Sequence, residues 1–234
     1  MKNTAIQLEN LGKIDYQTAW DYQTRLFEDI IQKKIANREN SDNESITKNF
    51  FLFCEHPHVY TLGKSGSMNN LLLDENTLKE KNIDFYKINR GGDITYHGEG
   101  QIVGYPIIDL ANFSEDIHWY MRSLEEVIIK TLADFDIEAG RIEGLTGVWL
   151  GSEADNPRKI CAMGVKTSRW VTMHGFALNV NTDLKFFEYI VPCGIKDKAV
   201  TSMQKELSQA IPLPEVQKSI IKHFENIFGA KFLI

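Results

Sequence analysis

The chain has 234 residues, 43% of them apolar and 25% charged, with a formal net charge of −6 and a pI near 5.6. This is the composition of a folded protein with room for a sizeable core, and its acidity speaks against nucleic acid as the main partner. No apolar run approaches the roughly 20 residues that span a bilayer, and the opening Met1-Lys-Asn-Thr-Ala-Ile lacks a signal peptide's apolar stretch. Three cysteines, an odd number, read as free thiols, so a cytoplasmic protein without a membrane segment is expected.

Asp15 is placed to cap a helix from Tyr16 to about Ala36, with Trp20, Phe27, Ile30, Ile31 and Ile35 on one face. A polar connection follows over 37–49, then Phe50-Phe-Leu-Phe-Cys54, a short apolar run with the length of a buried strand. Pro57 breaks that strand. Asp74 would cap a short helix over 75–81, ahead of a strand at 83–88, and 102–110 reads as another strand. Ser114 is expected to cap the longest helix, 115–135, with Ile117, Leu124, Val127, Ile128 and Leu132 sharing a face. Further strands are expected at 147–150, 159–166 and 176–180, and a closing helix from Pro214 to Phe228 with Gly229 ending it. With no repeats and no linker, the pattern predicts one domain over residues 1–234, of the α/β (α+β) class, with a mixed sheet flanked by helices.

Between the strands at 83–88 and 102–110 lies Arg90-Gly-Gly-Asp-Ile-Thr-Tyr-His97-Gly-Glu-Gly-Gln101-Ile-Val-Gly104. Five glycines in fifteen residues mark a loop that lets another group approach its backbone, with Arg90, Thr95, His97, Glu99 and Gln101 as polar contacts. A plain glycine-rich hairpin with solvated side chains is the alternative. Neither common phosphate-loop motif is present.

Cys193, between Pro192 and Gly194, lies in a loop where a nucleophile can be approached; most free cysteines are instead small buried hydrophobes, as Cys54 in its apolar run is expected to be. Cys161 stands between these readings and would share a strand face with Lys159, which gives the order Cys193, Cys161, Cys54 for a nucleophile. A thiol needs help to ionise at neutral pH, and Lys159, in a segment expected to be half-buried, could supply it and serve as acid and base, although most lysines are solvated. Cys54, His56 and His58 are ligand types without a structural zinc site's spacing, and no metal is assigned. From Pro157 to Thr182 four basic residues (Arg158, Lys159, Lys166, Arg169) meet no acidic one, and with Arg90, Lys196 and Lys198 they could form a basic face; a chance run of solvated cations is the equal alternative.

Five separated motifs together resemble the lipoyl(octanoyl) transferase family: Glu55-His56-Pro57 with Val59, Thr61 and Gly63; Arg90-Gly91-Gly92 with Thr95, His97-Gly98 and Gly100-Gln101; Lys159-Ile160 with Gly164; His174-Gly175 with Ala177-Leu178-Asn179; and Pro192-Cys193-Gly194. One position departs, Glu99 standing where that family usually has proline, which would place a carboxylate near the acyl channel. The resemblance implies the lipoate- and biotin-ligase fold and transfer of octanoyl from octanoyl-acyl carrier protein to a lysine amine. The acceptors would be lipoyl domains of 2-oxoacid dehydrogenase complexes and the glycine cleavage H protein, with no cofactor. It implies Cys193 as acyl-thioester nucleophile and Lys159 as acid/base. Arg90, Gly91, Gly92, Asp93, Ile94, Thr95, Tyr96 and His97, then Ala162, Met163 and Gly164, then Gly175, Phe176 and Ala177, would bind substrate. The basic run would face the acidic carrier protein. A ligase of the same fold that adenylates its acid, an amidotransferase moving octanoyl between carrier domains, and a silent acyl- or carrier-binding module are the rival readings.

Overall fold

The run from Phe50 to Cys54 is apolar without alternation because its strand is covered on both faces. In the computed structural model, which describes residues 2–40, 45–151, 156–191 and 199–233, β2 (Asn49–Glu55) turns Phe51 and Phe53 one way and Leu52 and Cys54 the other. It is a central strand of a mixed sheet. Ahead of it lie β1 (Ala5–Lys13) and α1 (Tyr16–Glu39); after it come β3 (Val59–Leu62), α2 (Glu75–Glu80), β4 (Asp84–Lys87), β5 (Ile94–His97) and β6 (Gln101–Ile107). The second half contributes α3 (Ile117–Ala133), β7 (Gly140–Ile142), β8 (Leu145–Leu150), β9 (Arg158–Ser168), β10 (Val171–Asn179), β11 (Ala199–Val200), α4 (Met203–Leu207), α5 (Leu213–Phe228) and β12 (Lys231–Leu233).

Among the described residues the large sheet runs β12-β1-β2-β6-β10-β9-β8-β7, with β11 beside β9. The pairs β1/β12, β1/β2 and β9/β11 are parallel and the others antiparallel. A second sheet, β4-β3-β5, stands apart from it. Helices α3 and α5 cover one face of the large sheet, packing Leu124, Val127, Ile128, Val216, Ile220 and Phe224 against Phe51, Phe53, Ile102, Phe176 and Leu178. Helix α1 covers the other with Leu26, Phe27 and Ile30 against Leu52, Val103, Tyr105, Ile107 and Ala177. The mixed α/β class expected of the sequence is the one observed.

Several boundaries differ. The third helix starts at Ile117 with Asp116, not Ser114, as its cap: the Asp116 carboxylate accepts from the amides of His118 (2.8 Å) and Trp119 (3.1 Å). At 17 residues it is shorter than α1, which has 24. Asp15 caps α1 and Asp74 caps α2 as expected, each accepting from the amide three residues on. The glycine-rich stretch is not a single loop. Residues 94–97 form β5, which pairs antiparallel with β3, and a tight turn at 98–100 leads into β6.

Candidate active site

A cavity of about 520 Å³, within the range of small-molecule sites, lies between β5 of the small sheet and β6, β8, β9 and β10 of the large one. The residues 90–95, His97, Lys159, 162–164 and 175–177 all line it, although sequence separates them by up to 87 positions. Tyr96 does not. Period-two alternation along β5 turns it away from Thr95 and His97 into the small-sheet core, where it stacks on Phe186 (5.0 Å) and its hydroxyl meets His58 Nδ1 at 2.7 Å. Cys193 lies outside the described residues, as do Lys196 and Lys198.

The wall around Arg90 is backbone fitted against backbone. The amides of Gly63, Lys64 and Ser65 donate to the carbonyls of Asp93, Arg90 and Gly92 at 3.0–3.2 Å, and Gly91 N donates to Val165 O at 3.0 Å. A Cβ on Gly63 would stand 2.3 Å from Gly92 O, and one on Gly164 2.7 Å from Gly91 O, so neither position has room for a side chain. The Arg90 guanidinium is buried and donates to Thr61 O (2.8 Å), Thr61 Oγ1 (3.0 Å) and Gly91 O (2.9 Å).

Three histidines stand in or behind this wall. Burial lowers His97 to about 3, helped by the nearby His56 and Arg90 charges, and it lowers His174 to about 3 with Arg90 and Lys166 adding to the effect. His56 is lowered to about 4, again chiefly by burial; it is tied through Nδ1 to Ile14 O (2.9 Å) and through Nε2 to the Tyr105 hydroxyl (2.8 Å). All three are neutral imidazoles at neutral pH. His174 also holds φ at +60°, costly for a non-glycine residue and the kind of local strain that clusters at functional sites. His56 Nε2 also lies 3.5 Å from Cys54 Sγ, while His58 turns to the Tyr96 hydroxyl.

Lys159 is half-buried at the cavity wall, its ammonium 4.6 Å from the centre of the Trp149 ring, a cation–π contact. Its carbonyl accepts from Thr201 N at 2.9 Å, and Val200 pairs with it across β11. Ala199 and Val200 line the cavity too, so the chain six residues beyond Cys193 runs beside Lys159. The strand-face expectation for Cys161 fails. Opposite β8 the register shifts, Val148 facing Cys161 and Trp149 facing Lys159, which leaves Ile160 as an extra residue and breaks the alternation. Cys161 is in the core, not the cavity wall, and burial raises its thiol, as it does that of Cys54.

Two other expectations change. Glu99 does not line the cavity: it is exposed on the 98–100 turn and pairs with Lys13. The basic run is also not one open face. Arg158 forms a two-point pair with Glu206 (2.7 Å each), Arg90 is buried, and the Lys166 ammonium lies over the Phe27 ring at 4.8 Å. Sequence reasoning missed Tyr16, Tyr105 and Trp149 as lining residues. Each sits in an element read as core, and aromatic residues give no sequence signal that separates core from cavity wall.

The family model for the lipoyl protein ligase A/B catalytic domain matches residues 15–225. The chain is 60% identical over 230 residues to a protein of Cytophaga hutchinsonii named octanoyltransferase, covering 97% of this chain and 93% of that one. An octanoyltransferase of Flavobacterium johnsoniae is 58% identical over 232 residues, covering 99% of this chain and all of that one. Among solved structures, the bipartite lipoate protein ligase of Thermoplasma acidophilum superposes with a TM-score of 0.68 at 17% identity, covering 100% of this chain and 86% of that one. A lipoate-protein ligase A bound with ATP also gives 0.68, at 15% identity, covering 100% and 90%. These two likenesses show the fold.

Proposed function

The chain belongs to the lipoyl protein ligase A/B catalytic-domain family and is an acyltransferase; from that premise we propose that it moves octanoyl from octanoyl-acyl carrier protein to the lysine amine of lipoyl domains through a Cys193 thioester. The observation that carries this reading is Lys159 on the wall of a cavity lined in part by glycine backbone and apolar side chains, next to the strand that follows Cys193. Met163, Phe176, Val103 and Leu145 offer an apolar surface to an alkyl chain. Burying six methylenes at about 0.8 kcal/mol each gives roughly 5 kcal/mol for holding an octanoyl group.

In the first half-reaction the Cys193 thiolate adds to the donor thioester carbonyl, and the pantetheine thiolate leaves and takes a proton from the Lys159 ammonium, which becomes a neutral amine. In this reading Lys159, as an ammonium, serves as the cation that favours the thiolate. In the second, the neutral amine of the incoming lysine attacks the Cys193 thioester and loses a proton to neutral Lys159; an amide forms and the Cys193 thiolate is released, which restores the starting pair. Thioester to thioester to amide runs downhill without nucleotide activation. The acceptors expected are the lipoyl domains of 2-oxoacid dehydrogenase complexes and the glycine cleavage H protein. Among the described residues no helix is long and apolar enough to cross a membrane, and the expectation of a cytoplasmic enzyme is kept as part of this proposal.

Intact-mass analysis after mixing the protein with octanoyl-carrier protein, without ATP, tests the reading. Wild type and Cys161→Ser should gain one octanoyl group that then passes to a lipoyl domain, and Cys193→Ser should gain none. An adduct only when ATP and free octanoate are supplied would replace this reading with the ligase one.

A further inference from the structure

The side chains behind His97 form a hydrogen-bonded chain whose direction the backbone dictates. A carbonyl can only accept, so the Asn179 atom 3.0 Å from Thr201 O is Nδ2, and Oδ1 points the other way. Oδ1 accepts from Gln101 Nε2 at 2.9 Å, and the same Nε2 donates to Tyr96 O at 3.1 Å, which fixes the Gln101 amide independently. Gln101 Oε1 is therefore the atom 2.8 Å from His97 Nδ1, and Nδ1 carries the proton. That leaves a lone pair on Nε2. It faces the Thr61 hydroxyl at 3.5 Å, a long contact in which Thr61, accepting from Arg90 Nη2 through its oxygen, donates its own proton to Nε2. Thr61, His97, Gln101, Asn179 and Thr201 are all buried, where an unmade hydrogen bond is costly, so the direction is held firmly.

The far end of this chain reaches the other half of the site. Thr201 accepts from Asn179 through its carbonyl and donates through its amide to the Lys159 carbonyl. One asparagine thus touches both the residue train ending at His97 and the strand clamped on Lys159.

We propose that Gln101 and Asn179 are positioning residues that hold cavity-lining His97 as the neutral Nδ1–H tautomer, with Nε2 an acceptor held only by the long Thr61 contact, and couple it to the strand pinned on Lys159. An N–H donor entering the cavity meets an acceptor there and not a competing donor. Under the acyl-transfer reading, on which this last point rests, that donor is the incoming amine.

Nitrogen-15 NMR of the imidazole rings, with steady-state kinetics alongside, tests the assignment. In wild type His97 should carry its proton on Nδ1 throughout about pH 5–8, the range in which an ordinary histidine titrates. Gln101→Glu places a carboxylate against Nδ1–H; the imidazolium should then appear within that range, with kcat reduced roughly ten- to hundredfold and KM little changed. Asn179→Asp keeps the acceptor for Gln101 and removes the donor to Thr201, so kcat should fall while the His97 tautomer stays. A proton on Nε2 in wild type overturns the assignment, and unchanged kcat in Asn179→Asp overturns the coupling. The wild-type spectrum needs neither a variant nor activity: an Nδ1–H signal in a protein that transfers no octanoyl would retire the acyl-transfer reading and leave the tautomer standing.

Discussion

The proposed mechanism asks two opposite things of Lys159 in turn, a cation while a thiol ionises and a neutral base while an amine attacks. Lysine can do both and arginine only the first, because a guanidinium does not deprotonate in a protein. Lys159→Arg should therefore still acquire octanoyl from the donor but pass it on at least about a hundredfold more slowly, the usual worth of a general base. Time-resolved intact mass, which follows loading and unloading separately, checks this. Equal slowing of both steps would mean that the residue only shapes the wall. Gly164 makes a steric prediction instead. With Gly91 O where its Cβ would be, at 2.7 Å, Gly164→Val must push the Arg90 loop off β9. A cost of about 1–3 kcal/mol is expected, and a fall in melting temperature of about 2–4 °C for each kcal/mol in a chain of this size. Scanning calorimetry of the purified variant measures it.

Among the elements, the hairpin β7–β8 is tied to α3 through one buried carboxylate. Glu125 of α3 is buried; it accepts from Gly147 N (3.0 Å), Arg122 (2.6 Å) and Arg141 (2.9 Å), and so pins Leu145, Thr146 and Trp149 against the cavity. Glu125→Ala leaves the buried Gly147 amide without its acceptor and takes one partner from Arg122, which is exposed, and from Arg141, which keeps Glu126, at an expected cost of about 1–3 kcal/mol. Urea unfolding should show a lower midpoint at an unchanged slope, and an unchanged midpoint would show that water replaces the carboxylate. No reading of α3 by periodicity finds this role, since Glu125 falls among apolar positions and looks like a solvated charge. The same limit explains what else was and was not legible. The two-sided burial of β2 and the caps of α1 and α2 are local and were read from residues within a few positions. Strand β1 alternates Ile6 and Leu8 with Gln7 and Glu9, but it is a strand only because β2 and β12 lie parallel on either side, from 43 and 226 positions away. Asp116 and Ser114 are both good caps two residues apart, and the choice between them is made by where α3 meets the sheet. For the site, the glycines announced close approach, and the residues named from the motifs as substrate-binding line one cavity, Tyr96 apart. The bulge at Ile160, which sends Cys161 into the core, is a property of the pairing with β8 and leaves no trace in one strand's sequence.

At the scale of the whole molecule, the buried histidines bind its stability to pH. His56, His97 and His174 are lowered to about 4, 3 and 3, against 6.5 for an exposed imidazole. Below 6.5 the unfolded chain takes up protons that the folded one refuses, so their contribution is complete above that pH and is lost as pH falls toward 4 and 3. At one unit below 6.5 each of the three costs about 1.4 kcal/mol of stability. The paired carboxylates Asp134 and Glu206, both lowered by their hydrogen-bonding partners, join only in more acid solution. Chemical denaturation at a series of pH values should show a plateau near neutrality and a steep decline from about pH 6 downward. A decline beginning only near the carboxylate range would mean that the three rings are protonated in the fold.

The indole of Trp149 faces the Lys159 ammonium and borders the same space as the proposed alkyl site. Indole emission responds to both of these neighbours, to a charge at its face and to water beside its ring. Loading the cavity should therefore change the light this residue gives off, with a blue shift that Trp149→Phe removes. The protein carries its own optical gauge of occupancy, and stopped-flow fluorescence could time the arrival and departure of the acyl group without a label.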